Sequence, residues 1–278
     1  MSSKLQKERR SAPAEEMPAR VTEVPRAGTG RDSATSFTPA AHLVSLVAPD
    51  SFEAEQYRIL RHAVERRHTD DGLAVVAITS PSGGEGKTTT AINLAGALAQ
   101  AAERRVLLVE TDLRRPSVVA QLGMSPTDSG LAEAITGSAR QLDELCQPVP
   151  GFNLWVLPAG RPVMAPYEIL RSPRLADLLA EARRRYDYVI VDTPPVIPCP
   201  DYRLLEPSID GVILVVAADK TPREMLDTAL DLLDKPKTLG VIFNGERHQP
   251  DRSSYYYSYY SSGRPAVASR WPWLKRHR

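Results

Sequence analysis

Six nearly unbroken apolar stretches punctuate the chain, at 73–79, 105–111, 152–157, 188–192, 211–217 and 239–244. Aliphatic runs of this length without polar alternation predict strands buried on both faces, as in a parallel sheet. Between them the apolar spacing becomes helical at 88–100, 130–136, 173–185 and 222–233. Such alternation of strand and helix predicts an α/β fold with a mostly parallel central sheet and helices on both faces. One more helix is predicted before the first strand. Asp50 and Glu53 read as a capping box for it, and Phe52, Leu60 and Val64 give it an apolar side as far as about Arg67.

The two ends lack this periodicity. Residues 1–42 mix seven Lys/Arg with five Asp/Glu among Pro, Ala, Ser and Thr, with Phe37 as their sole aromatic. They can bury too little to fold, so a disordered arm is predicted, followed by one folded domain at 43–250 and a flexible tail at 251–278. A chain of 278 residues, 42% hydrophobic, can fill one sizeable core. A net charge of +1 argues against a protein-wide field that attracts nucleic acid. No apolar run approaches the roughly 20 residues of a membrane span, and the first ten residues lack the apolar core of a signal peptide. A soluble, cytoplasmic protein is the expectation. Cys146 and Cys199 are too few and too isolated for a disulfide framework and are expected to be reduced packing residues.

The turn after the first apolar run reads S-P-S-G-G-E-G-K-T-T-T, residues 80–90. A strand before it and a helix after it make it a phosphate cradle, because backbone N–H groups and the helix dipole converge there on negative charge. Gly83, Gly84 and Gly86 supply backbone freedom. Lys87 can reach the outer phosphates, the Thr88 hydroxyl can hold magnesium, and Thr89 can reach a phosphate nearer the sugar. The strict pattern G-x-x-x-x-G-K-[ST] has glycine where this chain has Pro81, so the match is to its G-x-G-K-T core.

Two further runs end in acids. V-L-L-V-E-T-D-L-R-R-P, 106–116, brings Glu110 and Asp112 to a strand's carboxyl end, where ligands of open α/β sheets collect, and alternation puts both on one side of the backbone. Asp112 could coordinate magnesium or accept a proton, and Arg114 could stabilise phosphate charge or hold a partner. The same acids also read as a solvated turn; a phosphate cradle one strand–helix unit upstream favours the ligand reading. Y-D-Y-V-I-V-D-T-P-P, 186–195, closes a buried run with Asp192, a carboxylate that needs a partner such as a hydrated magnesium ion.

Glu55, Arg58 and Arg61 share one side of the first helix, which by spacing alone describes an ordinary solvated stripe. Five of the ten tyrosines stand together as Tyr255, Tyr256, Tyr257, Tyr259 and Tyr260 in a polar tail. A nucleic-acid stacking strip wants basic residues interleaved. A cluster of phosphate acceptors explains repetition and exposure together, since each phosphate adds nearly two negative charges.

In this order the motifs resemble the bacterial tyrosine kinases of the capsule and exopolysaccharide type, over residues 46–262. P-Y-E-I-L-R-S-P-R at 166–174 and D-K-T-P-R-E at 219–224 are similar to that family too. The resemblance implies a three-layer P-loop NTPase fold that binds ATP and Mg2+. It implies nucleotide contacts from Ser82, Gly83, Gly84, Glu85, Gly86, Lys87, Thr88, Thr89 and, at the adenine, Asn244. Thr88, Asp112 and Asp192 would hold the metal, and Lys87, Asp112, Asp192 and Arg114 would carry catalysis. Glu55, Arg58 and Arg61 would join copies into a homo-oligomeric ring, each tail entering its neighbour's site. Expected partners are a separate membrane-bound polysaccharide co-polymerase that activates the enzyme and recruits it to the inner face of the membrane, and a phosphotyrosine phosphatase. No nucleic acid is expected. The family reads D-x-D where this chain has Glu110, which leaves open which carboxylate activates tyrosine and admits a non-catalytic scaffold as an alternative. Ser82 stands where division-site and partition ATPases carry a signature lysine, which argues against the other alternative, a positioning ATPase. That rival would use Trp271, Trp273, Leu274, Lys275 and Arg276 to touch lipid.

Overall fold

Every residue of Val75–Thr79, Val106–Glu110 and Tyr188–Asp192 is buried, which only a sheet covered on both faces provides. The structure is a computed structural model that describes residues 37–137 and 142–245. In chain order it begins with α1 (Val44–Val47), α2 (Phe52–Asp71), β1 (Val75–Thr79), α3 (Lys87–Leu98) and β2 (Val106–Glu110). Next come α4 (Val118–Leu122), α5 (Leu131–Thr136), α6 (Leu142–Leu145), β3 (Gln147–Pro148), β4 (Leu154–Leu157), α7 (Pro166–Leu170) and α8 (Pro173–Arg185). The described part closes with β5 (Tyr188–Asp192), α9 (Tyr202–Leu205), β6 (Gly211–Ala217), α10 (Arg223–Leu232) and β7 (Thr238–Asn244).

Among the described residues the strands form one seven-stranded sheet in the order β3-β4-β2-β5-β1-β6-β7. All neighbours are parallel except the short edge pair β3 and β4. Alternation splits each strand between two cores. Val75, Ala77, Leu107, Val109, Val189 and Val191 face one cluster, closed by residues of α5, α6 and α8. Val76, Ile78, Leu108 and Ile190 face the other, closed by α2, α3 and α4. The three-layer α/β expectation is therefore met. Placing β5 between β1 and β2 matters most for function, because it brings the carboxyl ends of three strands side by side. Asp192 pairs in register with Ile78 on one flank and with Glu110 on the other.

Several boundaries differ from the sequence reading, for local reasons. The N-cap of α2 is Ser51, whose side chain accepts the Ala54 N–H at 3.1 Å, rather than Asp50. Asp50 instead approaches Arg58 at 3.8 Å. The helix runs on to Asp71 and stops at Gly72, whose φ of 69° a left-handed cap requires. The stretch 37–42, assigned to the arm, contributes to the fold: Phe37 and Ala40 pack on the second core and the Ala40 N–H reaches the Gln121 carbonyl at 2.8 Å. Residues 1–36 lie outside the described residues, as does everything after 245, including the tyrosine cluster and the basic end.

Asp210 fastens the start of β1 to the rest of the sheet. Its carboxylate accepts the N–H groups of Ala74 at 2.9 Å and Val75 at 2.8 Å, and the Arg183 guanidinium at 2.7 Å. Burial works to raise its pKa, but the Val75 N–H, Arg183 and the Ala74 N–H together hold it below the usual carboxylate value. A folded-state pKa depressed in this way stabilises the protein above the unfolded value and loses that contribution as pH falls through the folded one. Asp210→Ala is therefore expected to cost about 1–3 kcal/mol in urea denaturation at pH 7. The difference from the parent chain should shrink below a pH of about 4; an undiminished difference at acid pH would show the carboxylate charge to be irrelevant.

Candidate active site

Gly84 and Gly86 occupy positive φ, 83° and 92°, and wrap residues 80–86 around the N-terminus of α3. Gly86 is doubly constrained, because a Cβ there would lie 1.9 Å from the amide nitrogen of Asn244. That amide donates to the Glu85 carbonyl at 3.0 Å, so Asn244 sits on the glycine loop itself. A second brace comes from Glu85, whose buried carboxylate accepts the Ser82 hydroxyl at 2.6 Å, the Ala217 N–H at 2.6 Å and the Thr221 hydroxyl. The family resemblance implies nucleotide contacts from Ser82 and Glu85. Their side chains join each other and tie the loop to the end of β6.

Lys87 and Thr88 open α3 and point toward the ends of β2 and β5. The Lys87 ammonium donates to Asp112 at 2.9 Å and to the Thr88 hydroxyl at 3.3 Å, and lies 3.7 Å from Asp192. Thr88 donates its hydroxyl to the second Asp192 oxygen at 2.7 Å. Burial opposes the Lys87 charge, but Asp192 and Asp112 outweigh it and raise its pKa. Asp192 is fully buried, and burial pushes its pKa up to about 7 against the pull of Lys87 and Thr88. Its Oδ1 has no hydrogen bond among the described residues.

Glu110 takes another path. Strand pairing ends at this residue, so alternation does not carry through to Asp112. The longer glutamate side chain reaches the backbone N–H groups of Ser117, of Val118 at 2.8 Å and of Ala159 at 3.3 Å. Burial raises its pKa, and these three donors counter that. Glu110 thus anchors the start of α4 and the turn after β4, while Asp112 alone of the pair meets Lys87. Arg114 forks onto Asp201 through Nε at 3.0 Å and Nη2 at 3.1 Å. Asp201 is 1% exposed, and no sequence pattern links it to Arg114. Thr89 contacts Gln121 at 3.3 Å.

These groups line a cleft of about 770 Å3, bounded by Gly83, Gly84, Gly86, Lys87, Thr88, Thr89, Asp112, Arg114, Arg115, Ser117 and Gln121. Its remaining wall is Pro194, Pro195, Pro198 and Cys199. Cys199 is thus a cleft residue and not the packing residue that its sequence isolation predicts. Cys146, by contrast, lies against the core, and burial pushes its thiol up to about 12. The stripe on α2 is engaged within the chain: Arg58 pairs with Glu55 and the Pro49 carbonyl, and Arg61 holds Glu65 at 2.8 Å and the Ala97 carbonyl at 2.9 Å.

The residues fit a magnesium nucleotide. Asp192 Oδ1, which has no hydrogen bond among the described residues, stands 3.7 Å from the Lys87 ammonium and beside the Thr88 hydroxyl. No cluster of three or more His, Cys, Asp or Glu exists among the described residues. One hydroxyl with two carboxylates is instead what an ion keeping most of its waters and phosphate oxygens needs.

The fold and this site define the chain as a P-loop ATPase-type protein. An AAA domain family model matches residues 73–234. Tyrosine-protein kinase YwqD of Bacillus subtilis (strain 168) is 35% identical over 218 residues, covering 78% of this chain and 91% of that one. The succinoglycan biosynthesis transport protein ExoP of Rhizobium meliloti (strain 1021) is 33% identical over 207 residues, which are 71% of this chain and 25% of ExoP. The kinase domain of the Escherichia coli tyrosine kinase ETK superposes with a TM-score of 0.70 at 26% identity, covering 81% of this chain and 87% of that structure. The chain belongs to the bacterial P-loop tyrosine-protein kinase family and is an enzyme of it, as its ordered motifs led one to expect.

Lys87→Met is expected to abolish binding of a fluorescent ATP analogue. Because it strands two buried carboxylates, it should also cost about 3–5 kcal/mol of stability. Nucleotide binding that survives the change would remove Lys87 from the phosphate site.

Proposed function

We propose that this chain is a Mg-ATP-dependent protein-tyrosine autokinase that phosphorylates Tyr255, Tyr256, Tyr257, Tyr259 and Tyr260 of a neighbouring copy. The observation that carries the reading is the convergence of Lys87, Thr88, Asp112 and Asp192 at one end of the cleft. Phosphoryl transfer depends on positioning and charge neutralisation more than on covalent chemistry. The glycine loop and Lys87 orient the outer phosphates. When bound, a magnesium ion would supply further neutralisation of those phosphates, with Thr88, Asp112 and Asp192 as the groups that would hold it. The phenol, whose ordinary pKa is about 10, must surrender its proton during transfer. Asp112 lines the cleft whereas Asp192 is sealed beneath it, which supports Asp112 as the base. Glu110, spent on three backbone N–H groups, is left with a structural duty. Ser82, joined to Glu85 in the place of a positioning ATPase's lysine, also favours the kinase reading.

The same proposal includes a kinase domain at 43–250 and copies joined through Glu55, Arg58 and Arg61 into a ring that phosphorylation loosens. Among the described residues no helix is long and apolar enough to cross a membrane. Cytoplasmic residence, a separate membrane-bound co-polymerase as activator, an opposing phosphatase and control of exopolysaccharide export belong to the proposal. The name of ExoP, a succinoglycan biosynthesis transport protein, is in keeping with the last of these.

Incubation with Mg-ATP, followed by mass-spectrometric mapping, should place phosphotyrosine in 255–260. Asp112→Asn should lower the rate by about 10²–10⁴-fold, the range of a lost general base. An unlabelled tail in the presence of an activating partner, or full activity in Asp112→Asn, would contradict the respective claim.

A further inference from the structure

β7 ends the sheet with one side bare. Among the described residues β6 is its one strand neighbour, so alternate N–H and C=O groups along its outer side have no strand there to pair with. None of its residues is fully buried, and Phe243 is 61% exposed, whereas every residue of β1, β2 and β5 is buried. Between this edge and α2 runs a groove of about 280 Å3, lined by Leu60, Val64 and Arg67 of the helix and by Leu239, Gly240 and Ile242 of the strand. A Cβ at Gly240 would have no neighbour within 4 Å, so the groove is open at the middle of the strand.

We propose that this edge is the resting dock of the chain's own tyrosine segment: residues 254–260 add to the sheet as an antiparallel strand beside β7, with tyrosine rings laid in the groove over Gly240. The inference goes beyond the kinase reading, because it concerns where the acceptors lie before any transfer. It holds or fails whether or not they receive phosphate.

Connectivity, length and chemistry point to that occupant. The described chain ends directly after β7 at Gly245, whose φ of 74° turns it out of the strand direction. The residues that follow, E-R-H-Q-P-D-R-S at 246–253, are polar and hold Pro250 beside Asp251, a composition suited to a reversing connection. Then comes S-Y-Y-Y-S-Y-Y at 254–260, a stretch equal in length to β7. Tyrosine favours strands, and the segment has no charge, proline or glycine to oppose pairing. Tethered so closely, it meets the edge at an effective concentration on the order of millimolar. Aromatic side chains of an added strand cover an edge glycine, Leu60 and Ile242 supply apolar surface beneath them, and the Arg67 guanidinium suits a ring face.

Phosphorylation reverses the preference. Each phosphate brings nearly two negative charges, which an apolar groove takes up only at a desolvation cost. A labelled segment therefore leaves the edge, and an unlabelled one returns to it.

Hydrogen exchange on the full chain tests the dock. The outer amides of β7 should exchange about tenfold more slowly in the parent chain than in a variant with Tyr255, Tyr256, Tyr257, Tyr259 and Tyr260 all changed to Ser. Gly240→Lys, which puts a charged side chain into the groove where there is room for it, should lose the same protection and keep the parent's affinity for a fluorescent ATP analogue. Equal exchange in the parent and the five-serine variant, or protection that Gly240→Lys retains, overturns the proposal. Protection that disappears on dilution also overturns it, by assigning the edge to a second copy. Protection that persists at every dilution, with no phosphotyrosine formed in Mg-ATP, keeps the dock and removes the kinase reading.

Discussion

One ammonium between two buried carboxylates holds the functional end of this molecule together. Lys87 reaches Asp112 and Asp192 from a different strand end than either, at 2.9 and 3.7 Å. A buried charge left without its partner costs several kcal/mol, so the three strand ends that supply these groups must stay in register. The sheet order satisfies that demand by inserting β5 between β1 and β2. The glycine loop is held to the same standard from behind, by Glu85 on the end of β6 and Asn244 on the end of β7.

The charges at this site suit a metal nucleotide. Two carboxylates face one cation, and Asp192 keeps an oxygen without a hydrogen bond. Desolvation already presses on that group, which is what lifts its pKa toward neutrality. A further positive charge, such as a bound magnesium ion, would relieve that imbalance. Glu110, the third acid nearby, is compensated separately by backbone N–H groups. The chain can therefore depart from the family's usual aspartate at this position while the Lys87–Asp112–Asp192 arrangement stays intact.

Much of this was legible in the sequence, because the relevant signals are local. Unbroken apolar runs gave Tyr188–Asp192 and Gly211–Ala217 to the residue, and G-x-G-K-T between strand and helix located the cradle. What stayed hidden depends on long-range partners. Nothing along the chain pairs Arg114 with Asp201, Glu85 with Thr221, or Asn244 with the glycine loop, since each joins elements separated by many residues. The short helices α1, α4, α6, α7 and α9 carry too few turns to show a period, and tertiary packing stabilises them instead. The N-cap falls at Ser51 rather than Asp50 because both residues are good caps and only geometry chooses between them.

The most direct test of the account mixes two versions of the chain. One carries Lys87→Met with its tyrosines intact, and the other has an intact site with Tyr255, Tyr256, Tyr257, Tyr259 and Tyr260 all changed to Phe. Incubated together with Mg-ATP and an activating partner, the pair should yield phosphotyrosine on the Lys87→Met copy, which neither version makes alone. Phosphate on that copy when it is alone, or none in the mixture while the parent chain labels itself, would contradict the claim that the site of one copy serves the tail of another.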